Sequence, residues 1–364
     1  MATRYEAAHE NPTGPGDQRP TALQIIKDEQ LLGKWSDKTI LITGCSSGIG
    51  IETAKALHET GATLYVTARD LNKAKGALGS LVDSDRVHLL ELDLSSLASV
   101  RKAAETFLAQ SKKLNILIAN AGIMATPEGR TADGFELQFG TNRFAHFLFI
   151  QLLLPTLKAS ATSSFGSRVV VLASCTHRAG GINFEDFSFA GKYHPWIAYA
   201  QSKTANIYTA SELERRFGKD GVHAHAVHPG LIFTGLLQFI DQATKDEWAK
   251  DPVIPTRAKR PEQGAATTVW AATAAALEGS GGKYLEECQV SRPAQPNFKE
   301  CNFGHVEHTF DEEKERLFVG EVVGVGEALV ELRSEILRAR GMRWTVWGCR
   351  RAAMKFLRLT VIVS

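Results

Sequence analysis

Short apolar runs rich in β-branched residues alternate with amphipathic stretches along most of the chain. Alternation of this kind indicates strands separated by helices. The pattern predicts strands at 39–43, 63–68, 87–92, 114–119, 168–173, 222–227 and 283–287, and helices at 49–60, 71–82, 96–112, 132–158 (ending near Pro155), 197–217 and 262–277. Such an order requires right-handed crossovers and a parallel sheet covered on both faces. We therefore predict one doubly wound α/β domain over residues 38–290.

The segments on either side of this domain follow different patterns. Proline and glycine punctuate residues 1–20, which predicts a loose start to an N-terminal extension that ends at residue 37. Within that extension, the apolar positions of 21–36 predict a short helix. Beyond the domain, residues 291–335 predict a helical extension with a helix at 311–318.

The last stretch, 336–364, carries only basic charges. These are Arg338, Arg340, Arg343, Arg350, Arg351, Lys355 and Arg358. One interpretation is an amphipathic segment that rests on an anionic membrane surface. The others are a disordered extension and an aberrant end of the reading frame. No apolar run is long enough to predict a transmembrane helix, and the N-terminus lacks the apolar core of a secretory signal.

The first predicted strand runs into three glycines, Gly44, Gly48 and Gly50, and then into a helix. Gly44 permits a tight turn, Gly48 lets a pyrophosphate approach the backbone, and Gly50 lets the helix pack against the strand. The free N–H groups of the helix N-terminus then face the phosphates. The turn predicts a nucleotide site of the Rossmann type, although a strand–turn–helix junction of this kind can also be purely structural.

Overall composition narrows the classes of function. A formal net charge of +2, without a basic stripe, argues against a nucleic-acid partner. The cysteines are scattered and form no Cys-x-x-Cys pair, which argues against both a disulfide framework and a metal site. We therefore expect a protein of a reducing compartment, the cytoplasm, with no resident metal.

Tyr199 and Lys203 lie four positions apart in a predicted helix and so share one face. A nearby ammonium stabilises phenolate, so Lys203 is expected to lower the pKa of Tyr199 and make it a proton donor and acceptor. Ser174 follows the fifth strand and could polarise a substrate oxygen in the same pocket. The alternatives are an aromatic–cation pair without chemistry and a serine that caps a helix.

Several motifs together resemble the short-chain dehydrogenase/reductase family over roughly 38–290. They are Thr43-Gly44-x3-Gly48-Ile49-Gly50, Asn120-Ala121-Gly122, Asn142, Ser174, Tyr199-x3-Lys203 and His228-Pro229-Gly230. Finer features, such as Ala-Arg-Asp at 68–70 and Gln-Ser-Lys at 201–203, are similar to the retinol-dehydrogenase-like branch and its fungal relatives.

The resemblance implies hydride transfer between a nicotinamide cofactor and an alcohol or carbonyl group. Tyr199 would be the general acid/base, and Lys203 would hold the nicotinamide ribose. Ser174 would hydrogen-bond the reacting oxygen, and Asn142 would support a proton relay to solvent. The implied cofactor-binding residues are Gly44, Ser46, Ser47, Gly48, Ile49, Gly50, Arg69, Asp93, Leu94, Asn120, Ala121, Gly122, Tyr199, Lys203, Pro229, Gly230 and Thr234.

Cofactor choice depends on the end of the second strand. NAD-binding members place a carboxylate there, whereas this chain has Ala68 followed by Arg69. A guanidinium suits the 2′-phosphate, so NADP(H) is favoured over NAD(H). Alternatively, Asp70 could bond the ribose 2′-OH while Arg69 remains solvated. Asp93 is expected at the adenine and could otherwise cap the next helix.

The segment after the sixth strand is rich in large apolar residues and in this family covers the substrate. Together with Phe184, Phe187, Phe189, Tyr193 and Trp196 it suggests a lipophilic or aromatic substrate, although these residues could also form ordinary core or a homo-oligomer contact. The resulting hypothesis is an oxidoreductase of carbonyl metabolism or of secondary-metabolite tailoring. The alternative is a regulatory protein that binds NADPH without turnover.

Overall fold

The apolar runs form strands at the predicted places. The computed structural model describes residues 4–189, 191–295 and 303–318. Its strands are β1 (Thr39–Thr43), β2 (Thr63–Ala68), β3 (Val87–Glu91), β4 (Ile116–Ala119), β5 (Ser167–Leu172), β6 (Val222–His228), β7 (Leu231–Ile232), β8 (Ala258–Lys259), β9 (Lys283–Glu286) and β10 (Gln289–Val290). In these described residues, eight strands form one sheet in the order β10-β9-β6-β5-β4-β1-β2-β3. Only β10 pairs antiparallel, and the short β7 and β8 pair separately.

Helices connect the strands and cover the sheet. They are α1 (Glu6–Glu10), α2 (Ala22–Asp28), α3 (Ile49–His58), α4 (Leu71–Leu78), α5 (Leu97–Gln110), α6 (Leu137–Phe139), α7 (Ala145–Ser160), α8 (Pro195–Phe217), α9 (Gln242–Lys250), α10 (Ile254–Arg257), α11 (Pro261–Gly264) and α12 (Ala266–Thr273). This arrangement confirms the prediction of a single doubly wound domain. Among the residues just described, no helix is long and apolar enough to cross a bilayer.

The sheet is buried on both faces, which explains why its strands read as continuous apolar runs. Along β1, Ile40 and Ile42 belong to one hydrophobic cluster, whereas Leu41 belongs to the cluster on the opposite face. All five residues of the strand are buried. A parallel sheet with helices on both sides requires this composition.

Three of the predicted helices differ from the structure. The helix predicted at 71–82 ends at Leu78, and a 3₁₀ turn over Gly79–Asp83 follows it. The helix predicted at 132–158 begins only at α6, passes through a π-helical turn at Gly140–Phe144, and continues as α7 beyond Pro155 to Ser160. Gly134, with a φ of +85°, turns the chain before α6. A proline removes one helical hydrogen bond, and the buried apolar face of α7 compensates for that loss. The helix predicted at 262–277 is divided into α11, α12 and a final 3₁₀ turn.

The N-terminal segment is more ordered than the sequence predicts. The composition of residues 1–20 predicts a loose chain, but residues 4–20 are held against the domain. Tyr5 is buried and donates a hydrogen bond from its hydroxyl to Asp28, 2.8 Å away. The Arg19 side chain is also buried, because backbone carbonyls and a carboxylate satisfy it.

The predicted short helix and part of the C-terminal extension are also placed. The helix expected within 21–36 is α2, and its Ile25 and Ile26 enter the core. At the other end of the chain, residues 312–318 are helical, close to the predicted 311–318. Residues 319–335 and the basic tail lie outside the described residues.

Candidate active site

A cavity of about 1010 Å³ opens where the parallel strands β1, β2, β4, β5 and β6 end. In doubly wound sheets ligands bind at the carboxyl ends of the strands. Most of the predicted site residues line this cavity: Gly44, Ser46, Ser47, Gly48, Ile49, Arg69, Asp93, Leu94, Asn120, Ala121, Gly122, Ser174, Tyr199, Lys203, Pro229, Gly230 and Thr234. Gly50 and Asn142 are absent from the described lining and lie behind it.

The glycine turn after β1 forms one end of the cavity. Gly44 and Gly48 have φ angles of +77° and +66°, which side chains rarely adopt, and Gly48 is the N-cap of α3. A Cβ on Gly44 would lie 2.8 Å from the Cα of Ala121. A Cβ on Gly50 would collide with the Gly44 carbonyl and the Asn120 amide. Gly50 therefore lets α3 pack behind the turn and does not face the cavity.

The turn after β4 is bonded to the turn after β1. The Asn120 side-chain amide donates to the Thr43 carbonyl at 2.8 Å, and the Ala121 N–H donates to the Thr43 hydroxyl at 3.0 Å. That hydroxyl also contacts Nε2 of His146, 2.9 Å away. Burial lowers the pKa of His146 to about 4, so the ring is neutral. Sequence reasoning missed His146, although its place one helical turn after Asn142 is the signal that could have identified it.

Tyr199, Ser174 and Lys203 come together at the centre of the cavity. Both helical residues project from α8, and the Ser174 side chain lies close enough to the Tyr199 hydroxyl to act on its pKa. Lys203 Nζ lies 5.4 Å from the centre of the Tyr199 ring and donates to the Leu172 carbonyl at 3.0 Å. Ser174 also accepts a hydrogen bond from Thr176 N–H, so it caps the following turn as well. The structure thus gathers the predicted phenol, ammonium and hydroxyl in one place.

The protonation of Tyr199 differs from the expectation. Burial raises the pKa of Tyr199 above its usual value, and the neighbouring Ser174 hydroxyl opposes this rise. Burial also lowers the pKa of Lys203 to about 7, which weakens the lysine as a source of positive charge. The pKa of Tyr199 is therefore raised, where the sequence predicts that Lys203 lowers it. The phenol keeps its proton at neutral pH and can donate it.

Asn142 acts on the site through the backbone. It lies in the π-helical turn between α6 and α7, a feature often found at functional sites. Its side chain accepts a hydrogen bond from Ile123 N–H at 2.9 Å and donates one to the Ile123 carbonyl at 2.9 Å. It also donates to the Ser202 hydroxyl at 3.0 Å. These bonds join the turn after β4 to α8, next to Tyr199 and Lys203.

The far end of the cavity lies at the tips of β2 and β3. Arg69 and Lys73 line this end, and β2 finishes at Ala68 without a carboxylate. The Asp70 side chain accepts a hydrogen bond from Lys73 N–H at 2.9 Å and so caps α4. Asp93 bonds Ser95, whereas Ser96 is the N-cap of α5, so the alternative of Asp93 as the helix cap is wrong.

An apolar wall stands beside Tyr199. Met124, Leu237 and Ile240 pack with the tyrosine in one hydrophobic cluster, and Trp196 and Trp248 lie against it. These contacts give the reacting end of the cavity a lipophilic side.

The aromatic residues predicted before α8 are only partly in this wall. Phe187 stacks on Phe139 with ring centres 5.4 Å apart, and Tyr193 donates its hydroxyl proton to the Thr126 carbonyl at 2.8 Å. Among the described lining residues, Trp196 is present but Phe184, Phe187, Phe189 and Tyr193 are not. Phe184 and Phe187 form a neighbouring cluster, because their rings contact each other and Phe318.

The substrate side of the cavity also contains buried charged groups that the sequence did not predict. Lys259 lines the cavity, is buried, and lies 3.5 Å from the Pro229 carbonyl, and burial lowers its pKa. Glu286, also buried, forms an ion pair with Arg178 at 3.0 Å, and burial raises the pKa of Glu286 to about 7. These residues belong to no recognisable sequence motif, and only the tertiary fold brings them to the cavity.

Comparisons with known proteins agree with this geometry. The family model described as short chain dehydrogenase matches residues 38–245. Short-chain dehydrogenase/reductase prx1 of Penicillium roqueforti is 45% identical over 313 residues, which cover 86% of this chain and 92% of that protein. Retinol dehydrogenase 12 of Homo sapiens is 39% identical over 255 residues, which cover 69% of this chain and 78% of that protein. The solved Pseudomonas aeruginosa RhlG/NADP active-site complex is 27% identical with a TM-score of 0.56, and the match covers 70% of this chain and 96% of that one.

Proposed function

The chain belongs to the short-chain dehydrogenase/reductase family and is similar to its retinol-dehydrogenase-like branch, and from this premise we propose an NADP(H)-dependent oxidoreductase. The enzyme transfers hydride between the nicotinamide and a lipophilic or aromatic alcohol or carbonyl compound. The observation that carries this proposal is that Ser174, Tyr199 and Lys203 line one cavity, which begins at the glycine turn, with Lys203 Nζ 5.4 Å from the centre of the Tyr199 ring.

The three side chains divide the work at the reacting oxygen. When bound, the nicotinamide dinucleotide supplies or accepts the hydride. In carbonyl reduction, Tyr199 gives its proton to the substrate oxygen while Ser174 holds that oxygen by a hydrogen bond. Lys203, one helical turn from the phenol, positions the cofactor ribose. The raised pKa of Tyr199 keeps the phenol protonated at neutral pH, which is the state that carbonyl reduction requires.

Asn142 and Thr43 hold these three side chains and the glycine turn in position. Asn142 ties the backbone of Ile123 to α8, so the turn after β4 and the tyrosine move together. Thr43 is bonded by Ala121 and His146, which holds the glycine turn against the same loop. Such positioning contributes to rate because the reacting atoms must lie within a few tenths of an ångström of their productive places.

The preference for NADP(H) rests on the charges at the end of β2. Arg69 and Lys73 border the cavity there, and a guanidinium can bind a phosphate through two parallel hydrogen bonds. Asp70, the alternative ligand for a ribose 2′-OH, has its side chain engaged by the N–H of Lys73. The RhlG structure, a relative that contains NADP, is consistent with this preference.

The substrate class rests on the wall beside Tyr199. Trp196, Leu237 and Trp248 present apolar surface next to the proton donor. Burial of apolar surface contributes roughly 25 cal/mol for each Å² removed from water, so a lipophilic carbonyl compound would gain affinity here that a small polar one would not.

A substrate panel tests the proposal. Purified protein is assayed with lipophilic and aromatic ketones, aldehydes and alcohols and with small polar analogues, each with NADPH and NADH, by cofactor absorbance. We expect turnover of lipophilic compounds with a clear preference for NADPH. Tight cofactor binding without turnover of any compound would instead support the NADPH-binding regulatory protein, and absence of cofactor binding would contradict both.

A further inference from the structure

Part of the cavity wall returns to the domain through a short stem. We define the substrate wall as residues 231–259, and the stem as its last part, 254–259, which consists of α10 and β8. Ile254, Arg257 and Lys259 of the stem line the cavity. Within the described residues, the stem pairs with the rest of the wall through the two-residue ladder of β7 and β8. Such a short ladder supplies little stability of its own.

Arg19 of the N-terminal segment holds this stem by its backbone. Its Nη1 donates to the Arg257 carbonyl at 2.7 Å, and its Nη2 donates to the Ala258 carbonyl at 2.6 Å. Nη2 also lies 3.4 Å from the Thr256 carbonyl and 3.0 Å from the Gly14 carbonyl. The guanidinium therefore bonds three consecutive carbonyls of the stem.

A buried carboxylate orients the guanidinium. Asp17 accepts a hydrogen bond from Nε of Arg19 at 2.8 Å, and both side chains are 2% exposed. Asp17 is itself fixed by the N–H groups of Thr13 and Gly14. Burial of an ion pair is costly unless its remaining polar atoms are satisfied, and the stem carbonyls satisfy those of Arg19.

A second contact fastens the N-terminal segment to the body of the domain. Gln263 of α11 donates to the carbonyls of Asp17 and Arg19, and it accepts a hydrogen bond from Gly16 N–H at 2.8 Å. The N-terminal segment thus bridges the domain on one side and the stem on the other.

We propose that Arg19 is a positioning residue for substrate binding, which sets the place of the stem and through it the cavity wall formed by 231–259. This inference rests on the proposed function, since it takes the cavity to be the substrate site. Arg19 does not line the cavity in the described structure, so it acts through the stem and touches neither cofactor nor substrate.

Hydrogen–deuterium exchange of the full-length protein without ligand tests the positioning directly. The variant is Arg19→Gln, and the matched control is Arg4→Gln, another arginine of the N-terminal segment that pairs with Asp28 and does not contact the stem. We expect exchange in 241–259 to rise about tenfold in Arg19→Gln, because removal of the fork leaves buried carbonyls unpaired. Exchange in β1 and β2 should stay unchanged in both variants.

A second variant and a kinetic measurement complete the test. Arg19→Lys keeps the charge but loses the fork, so its exchange should fall between those of wild type and Arg19→Gln even if the glutamine variant folds poorly. With a substrate found in the panel, KM should rise several-fold while the NADPH dissociation constant stays unchanged.

Two results would overturn the proposal. One is exchange in 241–259 that matches the control in both Arg19 variants. The other is an equal rise in β1 and β2, which would show a global structural role. The exchange result does not depend on turnover, so it stands even if the proposed function fails.

Discussion

The two sides of the cavity are built in different ways. On the cofactor side, the turns after β1 and β4 are adjacent because their strands pair, and backbone groups with Thr43 and Asn120 join them. On the substrate side, the wall at 231–259 consists of short helices and strands outside the main sheet, presents side chains such as Trp248, and is held by the distant Arg19. The first side depends on strand register, and the second depends on contacts between remote segments.

The two sides of the cavity therefore differ in how well they tolerate substitutions. The cofactor side, which is built from backbone groups, tolerates few substitutions, because an added side-chain atom would meet the main chain of a paired strand. A wall of side chains on short segments outside the main sheet can accept substitutions at a lower cost to the fold, which suits a surface that selects among substrates.

The largest expected effect of these variants concerns the buried ring of His146. Its pKa is lowered to about 4, so from pH 6.5 down to about 4 the unfolded chain binds more protons than the folded one, and stability falls as pH falls. A pKa shift of one unit corresponds to 1.36 kcal/mol, so the lowered pKa of His146 reduces the free energy of unfolding at low pH by about 3 kcal/mol. His146→Gln should therefore lose less stability between pH 7 and pH 4.5 than the wild type, in urea unfolding at both values. An identical loss in both proteins would contradict the buried, neutral ring.

A smaller effect is expected from Gly50→Ala. The new Cβ meets the Gly44 carbonyl and the Asn120 amide, so overpacking should cost about 1–3 kcal/mol and weaken NADPH binding. Gly76→Ala is the control, because no atom lies near its added Cβ on the exposed side of α4 and helix propensity favours alanine. Thermal unfolding and NADPH titration measure both changes. Equal behaviour of the two variants would show that the glycine turn tolerates change.

The next effect tests the cofactor preference at the end of β2. Arg69→Gln should raise the KM for NADPH about tenfold and leave that for NADH nearly unchanged, because one charge-assisted phosphate contact is lost. Lys75→Gln, on the exposed side of α4 and away from the cavity lining, should change neither. Steady-state kinetics with both cofactors separate the variants. A parallel rise for NADPH and NADH in Arg69→Gln would contradict recognition of the phosphate.

The smallest effect belongs to the substrate wall. Trp248→Ala should raise the KM for a bulky lipophilic substrate several-fold, because apolar surface is removed from the cavity, and leave cofactor binding unchanged. Phe239 belongs to the same wall but is 44% exposed and is not part of the described lining, so Phe239→Ala should have no effect. A change of KM in Phe239→Ala alone would place the substrate elsewhere.

The cofactor side was also the part that sequence could predict. The bounds of β1 and β2 match their apolar runs, because strands buried on both faces leave a continuous local signal. The glycine turn, Ser174, Tyr199 and Lys203 were found because each has a local motif at fixed spacing. The division of the helix around Gly140 was missed, since π-helical turns have no such signal.

The substrate side could not be predicted in the same way. β7 and β8 are two residues long, which is too short for any periodicity to show. Arg19 bonds the carbonyl of Arg257, which is 238 positions away in the sequence. The prolines and glycines around Arg19 suggest a loose segment, so nothing local indicates this contact. Likewise, the pKa of Tyr199 depends on burial, which spacing along a helix does not reveal.

The central claim is that Tyr199 moves the proton at the reacting oxygen, and one variant tests it most directly. Tyr199→Phe removes the hydroxyl and keeps the ring that packs with Leu237. Turnover of a panel substrate and the NADPH dissociation constant are measured on the same preparation. We expect a loss of turnover of at least about 100-fold with unchanged NADPH affinity. Turnover equal to that of the wild type, with NADPH still bound, would contradict it.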